Sequence, residues 1–416
     1  MKATILTIGD ELLIGQVLNT NQAYIAEHLN NVGVSIFRME TVGDVEKEIS
    51  DSFQRNWNEV DILIATGGLG PTHDDITRDV VCKFFKTSLV VNDEALQNVR
   101  SIVEKRKTRI TEMIEQQALV PKDAVVIQNV CGTAPGIMFE RNGKYFFAMP
   151  GVPKEMKAMM ENFIIPLLRT KVSGSVILHR TLKTIGVVEA HLAERLGNIP
   201  ELFGNHKNTT LAFLPEIFAV RLRISVKDST IEQAEKQISF VENNIREKIG
   251  KYIFGIDEET IEQIIGNLLE KNRATLSTAE SCTGGRIANR LTNISGSSQY
   301  FERGVIAYSN ASKIELLGVD EKLIKQNGAV SKEVAEAMAE GIRKIADTTF
   351  GISTTGIAGP MGGSIDKPVG LVWIGFSSQR ETFAKQCYLG ERRNDVKERA
   401  TLAALELLRK KLLGLQ

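Results

Sequence analysis

Two short strand-like runs constrain this chain most, because each ends in a glycine-rich turn that opens a helix. The first is Asp61-Ile62-Leu63-Ile64-Ala65-Thr66, which runs into Gly67-Gly68-Leu69-Gly70. The second covers residues 274–278. It leads through Ala279-Glu280-Ser281-Cys282-Thr283-Gly284-Gly285 to a helical stretch over 286–292. Strands alternating with helices in this way predict α/β domains with largely parallel sheets.

The rest of the chain extends that pattern. Residues 3–8 read as a strand, and the spacing of Val17, Tyr24, Ile25 and Leu29 predicts a helix over 12–29. A strand at 33–37, a helix at 46–58 and a long polar helical region over 93–119 follow. Strands at 125–127, 136–139 and 144–149 and a helix over 154–168 complete a first domain, residues 1–170. Residues 171–252 differ. They read as a strand (176–184), a helix (188–196), two strands (211–214, 218–226) and a helix (230–249), a small split-βαβ module suited to spacing or dimerisation. Residues 253–416 form a third unit, with a helix over 259–271, strands at 274–278, 304–308, 349–354 and 370–377, and a last amphipathic helix over 395–413. The expected fold class is therefore α/β: two three-layer α/β/α domains joined by a small α+β module.

Composition narrows the function classes. The 416 residues carry 51 Lys+Arg against 51 Asp+Glu, with 43% hydrophobic residues. That excludes global disorder and any binding driven by bulk charge, so direct nucleic-acid binding is not expected. The four cysteines are far apart, which suits a reducing compartment rather than a disulfide scaffold. No run approaches the roughly 18 apolar residues of a spanning helix, and the opening residues lack a signal-peptide pattern. The expectation is a cytoplasmic protein with no membrane contact. None of the five histidines lies beyond His206. Catalysis in the C-terminal part must proceed without imidazole.

In the first domain, Gly67, Gly68 and Gly70 precede His73-Asp74-Asp75. Glycines let backbone amides approach a phosphate. Adjacent acids tolerate a phosphate only with a cation between them, so Asp74 and Asp75 point to a hard metal bridging a diphosphate. The competing reading is a tight turn with Asp75 as helix cap. Asp10 and Glu11 end another strand and could share that sheet edge. Asn19 and Asn21 are either substrate contacts or helix-surface residues. The Pro150–Glu155 segment reads as a rigid turn.

In the last domain, Ser281 occupies a strand-to-helix turn before Gly284 and Gly285, a geometry that suits a nucleophile with amides for an oxyanion. Cys282 is the rival nucleophile, and a helix cap by Ser281 or Thr283 is the structural alternative. Without histidine the base must be Lys, Tyr or a carboxylate. Tyr308 and Lys313 stand nearest in the sequence, and a desolvated lysine can act as a base. Ser297, and Thr355-Gly356 with Gly359, could line a pocket. Arg392 and Arg393 offer cations for a phosphate.

Taken together, these motifs resemble known families. The segments G-D-E-L-L-I-G-Q-V-L-N-T-N (9–21), T-G-G-L-G-P-T-H-D-D-I-T (66–77), G-T-A-P-G (132–136) and M-P-G-V-P-K-E-M (149–156) resemble the MoaB/MogA-like molybdopterin-binding fold as found at the N-terminus of the CinA family. That resemblance implies a metal- and potassium-dependent ADP-ribose pyrophosphatase. The ion would be Mg, Mn or Co, with Asp74 and Asp75 serving it and Gly67, Gly68 and Gly70 the diphosphate. His73 stands where the family more often has an acid. The segments A-E-S-C-T-G-G (279–285), G-S-S (296–298), Y-F-E-R-G-V-I-A-Y-S-N-A-S-K (300–313), T-G-I-A-G-P-M-G-G (355–363) and K-P-V-G (367–370) resemble the CinA C-terminal, or PncC, family. This implies a cofactor-free amidohydrolase that converts nicotinamide mononucleotide to nicotinate mononucleotide and ammonia. Ser281 would be the nucleophile, Lys313 its base and Tyr308 an assistant. Thr355 would lie in the pocket and an arginine after Gly390 would hold the phosphate. The tail is one residue longer than the family spacing, leaving both Arg392 and Arg393 as candidates. Family likeness also implies a homodimer. The alternative function is a competence or DNA-damage accessory protein acting through partners, with a non-catalytic nucleotide- or pterin-binding N-terminal domain.

Overall fold

The computed structural model describes residues 1–105, 115–172 and 176–415. They fall into two compact units: residues 1–178 with 226–235, and residues 179–225 with 236–416.

The first unit is built on a six-stranded sheet in the order β2-β1-β3-β8-β7-β6. These strands are β1 (Lys2–Ile8), β2 (Ser35–Val42), β3 (Ile62–Thr66), β6 (Val125–Ile127), β7 (Gly136–Arg141) and β8 (Lys144–Met149). β4 (Leu89–Val91) and β5 (Leu119–Pro121) form a separate pair. The β1–β2, β1–β3 and β3–β8 pairs are parallel, while β7 and β6 close the sheet antiparallel. The central strands are rich in apolar residues and buried almost throughout because both faces are covered. Alternate residues supply the two cores. Ile5, Ile62, Ile64 and Phe147 pack with Ile25 and Leu29, whereas Leu6, Leu63, Ala65 and Phe146 pack with Ile49, Phe53 and Phe85.

The helices are α1 (Asp10–Leu13), α2 (Thr20–Asn31), α3 (Glu46–Glu59), α4 (Thr77–Phe85), α5 (Asp93–Lys105), α6 (Pro153–Met159) and α7 (Ile165–Lys171). The helix expected over 12–29 is corrected. Only one turn follows β1, residues 14–19 are non-helical, and the helix starts at Thr20, where the Asn19 side chain accepts from the Gln22 amide. Gly15, with φ of 72°, helps end the first turn. The helical expectation over 93–119 is met over Asp93–Lys105 and fails at Leu119, which belongs to β5; residues 106–114 of it lie outside the described residues.

The second unit contains two sheets. The smaller runs β10-β11-β9-β12, from β9 (Val176–Ile185), β10 (Thr209–Glu216), β11 (Ala219–Asp228) and β12 (Ile253–Ile256). It carries α8 (Glu189–Leu196), α9 (Ile199–Leu202) and α10 (Ile231–Ile249). The expected strand–helix–strand–strand–helix order is present, but the short α9 is added and β12, beyond the expected boundary at 252, pairs with β9 as a fourth strand. The larger sheet runs β14-β13-β15-β16-β17, from β13 (Leu276–Glu280), β14 (Phe301–Ile306), β15 (Phe350–Gly356), β16 (Leu371–Ser377) and β17 (Thr382–Tyr388). Its helices are α11 (Ile261–Lys271), α12 (Arg286–Thr292), α13 (Asn310–Leu317), α14 (Glu321–Asn327), α15 (Lys332–Ile345) and α16 (Arg393–Leu412). β13 lies between β14 and β15 and is parallel to both. The two later strands are antiparallel, so the sheet is mixed rather than wholly parallel. No described helix is long and apolar enough to cross a membrane.

Candidate functional sites

In both units the candidate residues gather where the strand order reverses, the crevice that open α/β sheets leave beyond their carboxyl ends. In the first unit this is the edge after β1 and β3. Gly67 and Gly68 hold φ of 115° and 65°. A side chain on Gly67 would collide with the Ile8 carbonyl, and one on Gly68 with the Thr77 side chain. Only glycine permits this turn. It borders a cavity of about 390 Å³, lined also by Glu11, Asp44, Asp74, Asp75 and Glu155.

Asp44 and Glu155 join this ring although the motifs alone did not select Asp44, which follows β2 in the Val42-Gly43-Asp44 turn. Asp10 and Asp44 clasp each other, each carboxylate accepting the other's backbone amide at 3.1 and 3.2 Å. Burial raises the Asp44 pKa, and the charges of Asp10, Glu11 and Asp74 raise it further. Glu155 accepts from Asn129 Nδ2 at 2.7 Å, so it does more than cap a turn. Asp75 does not cap α4. Its carboxylate instead accepts from the Thr72 amide at 2.9 Å, and the N-cap position is Ile76. Asn19 donates to Thr7 Oγ1 at 2.8 Å and Asn21 to the Gly151 carbonyl at 2.7 Å. Both side chains tie loops together. The carboxylate-rich lining fits a hard divalent cation, and the buried Thr77 hydroxyl beside Gly68 has no partner. Among the described residues, however, no three acidic, His or Cys side chains converge as a finished metal set.

In the second unit the crevice lies past β13, β14 and β15. β13 is buried along its whole length and delivers Ser281 to the turn. The Ser281 amide donates to the Thr354 carbonyl at 2.9 Å, fixing the residue against β15. Lys313 sits in the first turn of α13 and is only 2% exposed. Its Nζ donates to Ser281 Oγ at 3.2 Å and to the Ala307 carbonyl at 2.9 Å. Desolvation holds the lysine pKa below its ordinary value. A neutral amine next to a serine hydroxyl can accept its proton.

The alternatives fall away on geometry. Neither Ser281 nor Thr283 caps α12, whose N-cap is Gly285 at φ of 89°. The Glu280 carboxylate takes that role, accepting from the Ile287 and Ala288 amides at 3.1 and 2.8 Å. Cys282 is buried, and desolvation pushes its thiol up to about 12. It is therefore protonated at neutral pH and a poor nucleophile.

Other expected site residues separate. Tyr308 lies two residues beyond the end of β14 and is 61% exposed. Its hydroxyl accepts from Arg393 Nη2 at 2.9 Å, while Arg393 Nη1 donates to the Gly359 carbonyl at 2.9 Å. Arg393, not Arg392, thus reaches the crevice; Arg392 is the exposed N-cap of α16. Thr283 is fully buried and bonded to Thr354 Oγ1 at 2.7 Å, and the Thr355 hydroxyl donates to the Ala329 carbonyl at 2.7 Å. Both hydroxyls hold the scaffold. Gly356 ends β15, where a side chain would meet Val372 of the neighbouring strand. The Gly284 amide is spent on the Ser281 carbonyl at 3.2 Å, which leaves the amide of Gly285, the N-cap of α12, as a candidate oxyanion donor. Ser297 is removed from the site altogether. It precedes the amino end of β14, whose Phe301 is level with Leu276. Ser281 follows the carboxyl end of β13, roughly 16 Å away at about 3.3 Å per strand residue.

Similarity to known proteins covers the chain in three stretches. The chain matches the profile of a molybdopterin binding domain (described as probable) over residues 4–170, the CinA KH domain of damage-inducible proteins over 179–255 and the CinA C-terminal domain over 258–412. The strand and helix order of the central module did not single out the KH type. A CinA-like protein of Kosmotoga olearia is 42% identical over 415 residues, covering 100% of both chains. Another, from Dictyoglomus turgidum, is 40% identical over 415 residues, again covering 100% of both. Among solved structures, the competence/damage inducible protein of Agrobacterium tumefaciens is 35% identical, with a TM-score of 0.35, over 37% of this chain and 92% of that one. With full-length identity at this level, the chain belongs to the CinA family.

Proposed function

We propose that the C-terminal part of this chain hydrolyses the carboxamide of nicotinamide mononucleotide, releasing ammonia and nicotinate mononucleotide. One observation carries the reading: a buried lysine Nζ 3.2 Å from a serine hydroxyl at the switch point of the sheet. Neutral Lys313 accepts the Ser281 proton as Oγ attacks the carboxamide carbon. The tetrahedral oxyanion faces the Gly285 amide at the opening of α12. The C–N bond breaks, Lys313 returns its proton to the leaving nitrogen, and ammonia departs. Water then attacks the serine ester, with Lys313 taking its proton and returning it to Ser281 Oγ as the ester C–O bond breaks and nicotinate mononucleotide leaves. The pyridinium charge makes the carboxamide electrophilic, which lessens the demand on the base. Ammonia release from nicotinamide mononucleotide should be lost in Ser281→Ala, with the circular dichroism of the fold retained. Full turnover in that variant refutes the reading.

The first unit supports a second activity, hydrolysis of the ADP-ribose diphosphate, because a glycine turn and a ring of carboxylates share one cavity. A divalent ion there would have to draw Glu11, Asp44 and Asp74 together from the cavity wall, and would neutralise the diphosphate. The chain's own part is to approach the phosphates with the Gly68 and Gly70 amides. AMP and ribose phosphate appearing from ADP-ribose plus Mg, Mn or Co, and not without metal, is the expected result. Binding without turnover would instead favour a nucleotide- or pterin-holding module. The competence and damage names of relatives point to partner-mediated roles, which such a module would serve.

A further inference from the structure

Gln117 stands in the tight turn Gln116–Ala118, just before β5, and lines the cavity of the first unit beside Gly67. Its side chain is 2% exposed, and among the described residues its amide nitrogen has no hydrogen-bond partner. Asn129 shows the contrast. Its amide donates to the Ala134 carbonyl and to Glu155, and its oxygen accepts from the Cys131 and Gly132 amides. Gln117 needs no such bonds to hold its place. Arg78 of α4 donates to the Gln116 carbonyl at 2.9 Å, and the Ala118 carbonyl accepts from the Asn92 amide at 2.9 Å. The backbone on both sides of Gln117 is therefore fixed to other elements, and the carboxamide is left unused at the cavity wall. A buried amide without a partner is unfavourable, and a ligand that completes its bonds removes that cost.

Phosphates and a cation are the weaker candidates for that ligand group. Both already have claimants in this cavity, the glycine amides and the carboxylates. A carboxamide offers a donor and an acceptor side by side. It pairs with a group that offers the same in reverse, as glutamine pairs with the amino edge of adenine. The lining also includes Leu69, Pro71, Ala134, Pro150 and Val152, apolar residues that suit the face of a flat ring. We infer that Gln117 reads the edge of a heteroaromatic ring, a nucleobase or a pterin, and so selects ring-bearing ligands in this cavity. The inference rests on the first unit holding such a ligand, and not on its hydrolysing one.

Binding and stability of the full chain test it together. ADP carries a ring, and inorganic pyrophosphate carries a diphosphate without one. With Mg present, Gln117→Leu should weaken ADP binding about 5- to 50-fold by titration calorimetry and leave pyrophosphate within about two-fold. Without ligand the same variant should melt at or above the Tm of the parent, because Leu removes an unpaired buried amide. A lowered Tm would mark the amide as structural and overturn the proposal. A loss shared by ADP and pyrophosphate would assign Gln117 to the diphosphate or its metal, and that also overturns it. Hydroxymethylpterin, titrated in the same way, separates the two rings. Weakening confined to the pterin makes the ring a pterin, and weakening confined to ADP makes it adenine. Ring binding unchanged by the variant, or a parent that binds neither ring, sinks the idea. ADP binding without release of AMP from ADP-ribose would fail only the hydrolase reading.

Discussion

Lys313 shows most directly how one residue's surroundings set its chemistry. Its side chain is enclosed, with two carbonyls and one hydroxyl as its partners. Its reactive form is the neutral amine. Desolvation lowers the pKa from the free value of 10.5, so the neutral fraction rises at lower pH than in a free lysine. The rate of ammonia release should therefore climb with pH and reach its plateau below the ordinary lysine range. Lys313→Met should lower kcat by roughly 10²- to 10⁴-fold. Lys313→Arg should not restore it, because guanidinium stays protonated. A full rate in Lys313→Met would remove the lysine from the mechanism. Cys282 gives the converse case. Its neighbour in sequence is the nucleophile, yet burial keeps its thiol protonated. Cys282→Ala should keep ammonia release within a few-fold of the parent, and iodoacetamide at neutral pH should leave this thiol unmodified, as read by mass spectrometry.

At the scale of elements, the turn after β13 depends on a carboxylate. Glu280 is 1% exposed, and its two oxygens hold the first amides of α12. A negative charge at a helix N-terminus is favourable, and here it also fixes the pitch of the turn between Ser281 and Gly285. Glu280→Ala should cost about 2–3 kcal/mol in denaturant unfolding, in keeping with two lost hydrogen bonds to a charged group. At the far end of α16, Glu406 and Arg409 form a buried pair, and Arg409 also donates to the Lys251 carbonyl at 3.0 Å. Arg409→Ala leaves Glu406 buried alone and should destabilise the second unit by about 3–5 kcal/mol, measured by thermal or denaturant unfolding. The strand-and-glycine pattern made β3 and β13 readable because a short extended run leading into paired glycines has few other uses. β17 and α13 to α15 were less legible. Their apolar residues are interleaved with charges, and packing on the sheet decided their state.

At the scale of whole units, the cavity beside Gly67 gathers acids from the ends of β1, β2 and β3. Asp44 titrates above its ordinary value, so the folded state holds that proton more tightly than the unfolded chain does. Its stability contribution is thus full at low pH and is lost as pH rises through the raised pKa. The group is partly exposed, which keeps the effect under about 1 kcal/mol. Asp44→Asn should flatten that pH dependence. Mg or Mn at neutral pH should raise the Tm of the parent more than that of the variant. An identical metal shift in both would separate Asp44 from the metal.

The sequence by itself determined the α/β class and the crevice edges and put Ser281 and Lys313 among the candidates, because these rest on local patterns: strand runs, glycine turns and the absence of histidine beyond residue 206. Only the tertiary structure decided the rest. Strand register carried Ser297 to the opposite end of the sheet, and burial removed Cys282 from contention. The start of α16 settled Arg393 over Arg392. Register, burial and the meeting of distant loops are properties of the packed chain, and no local spacing encodes them.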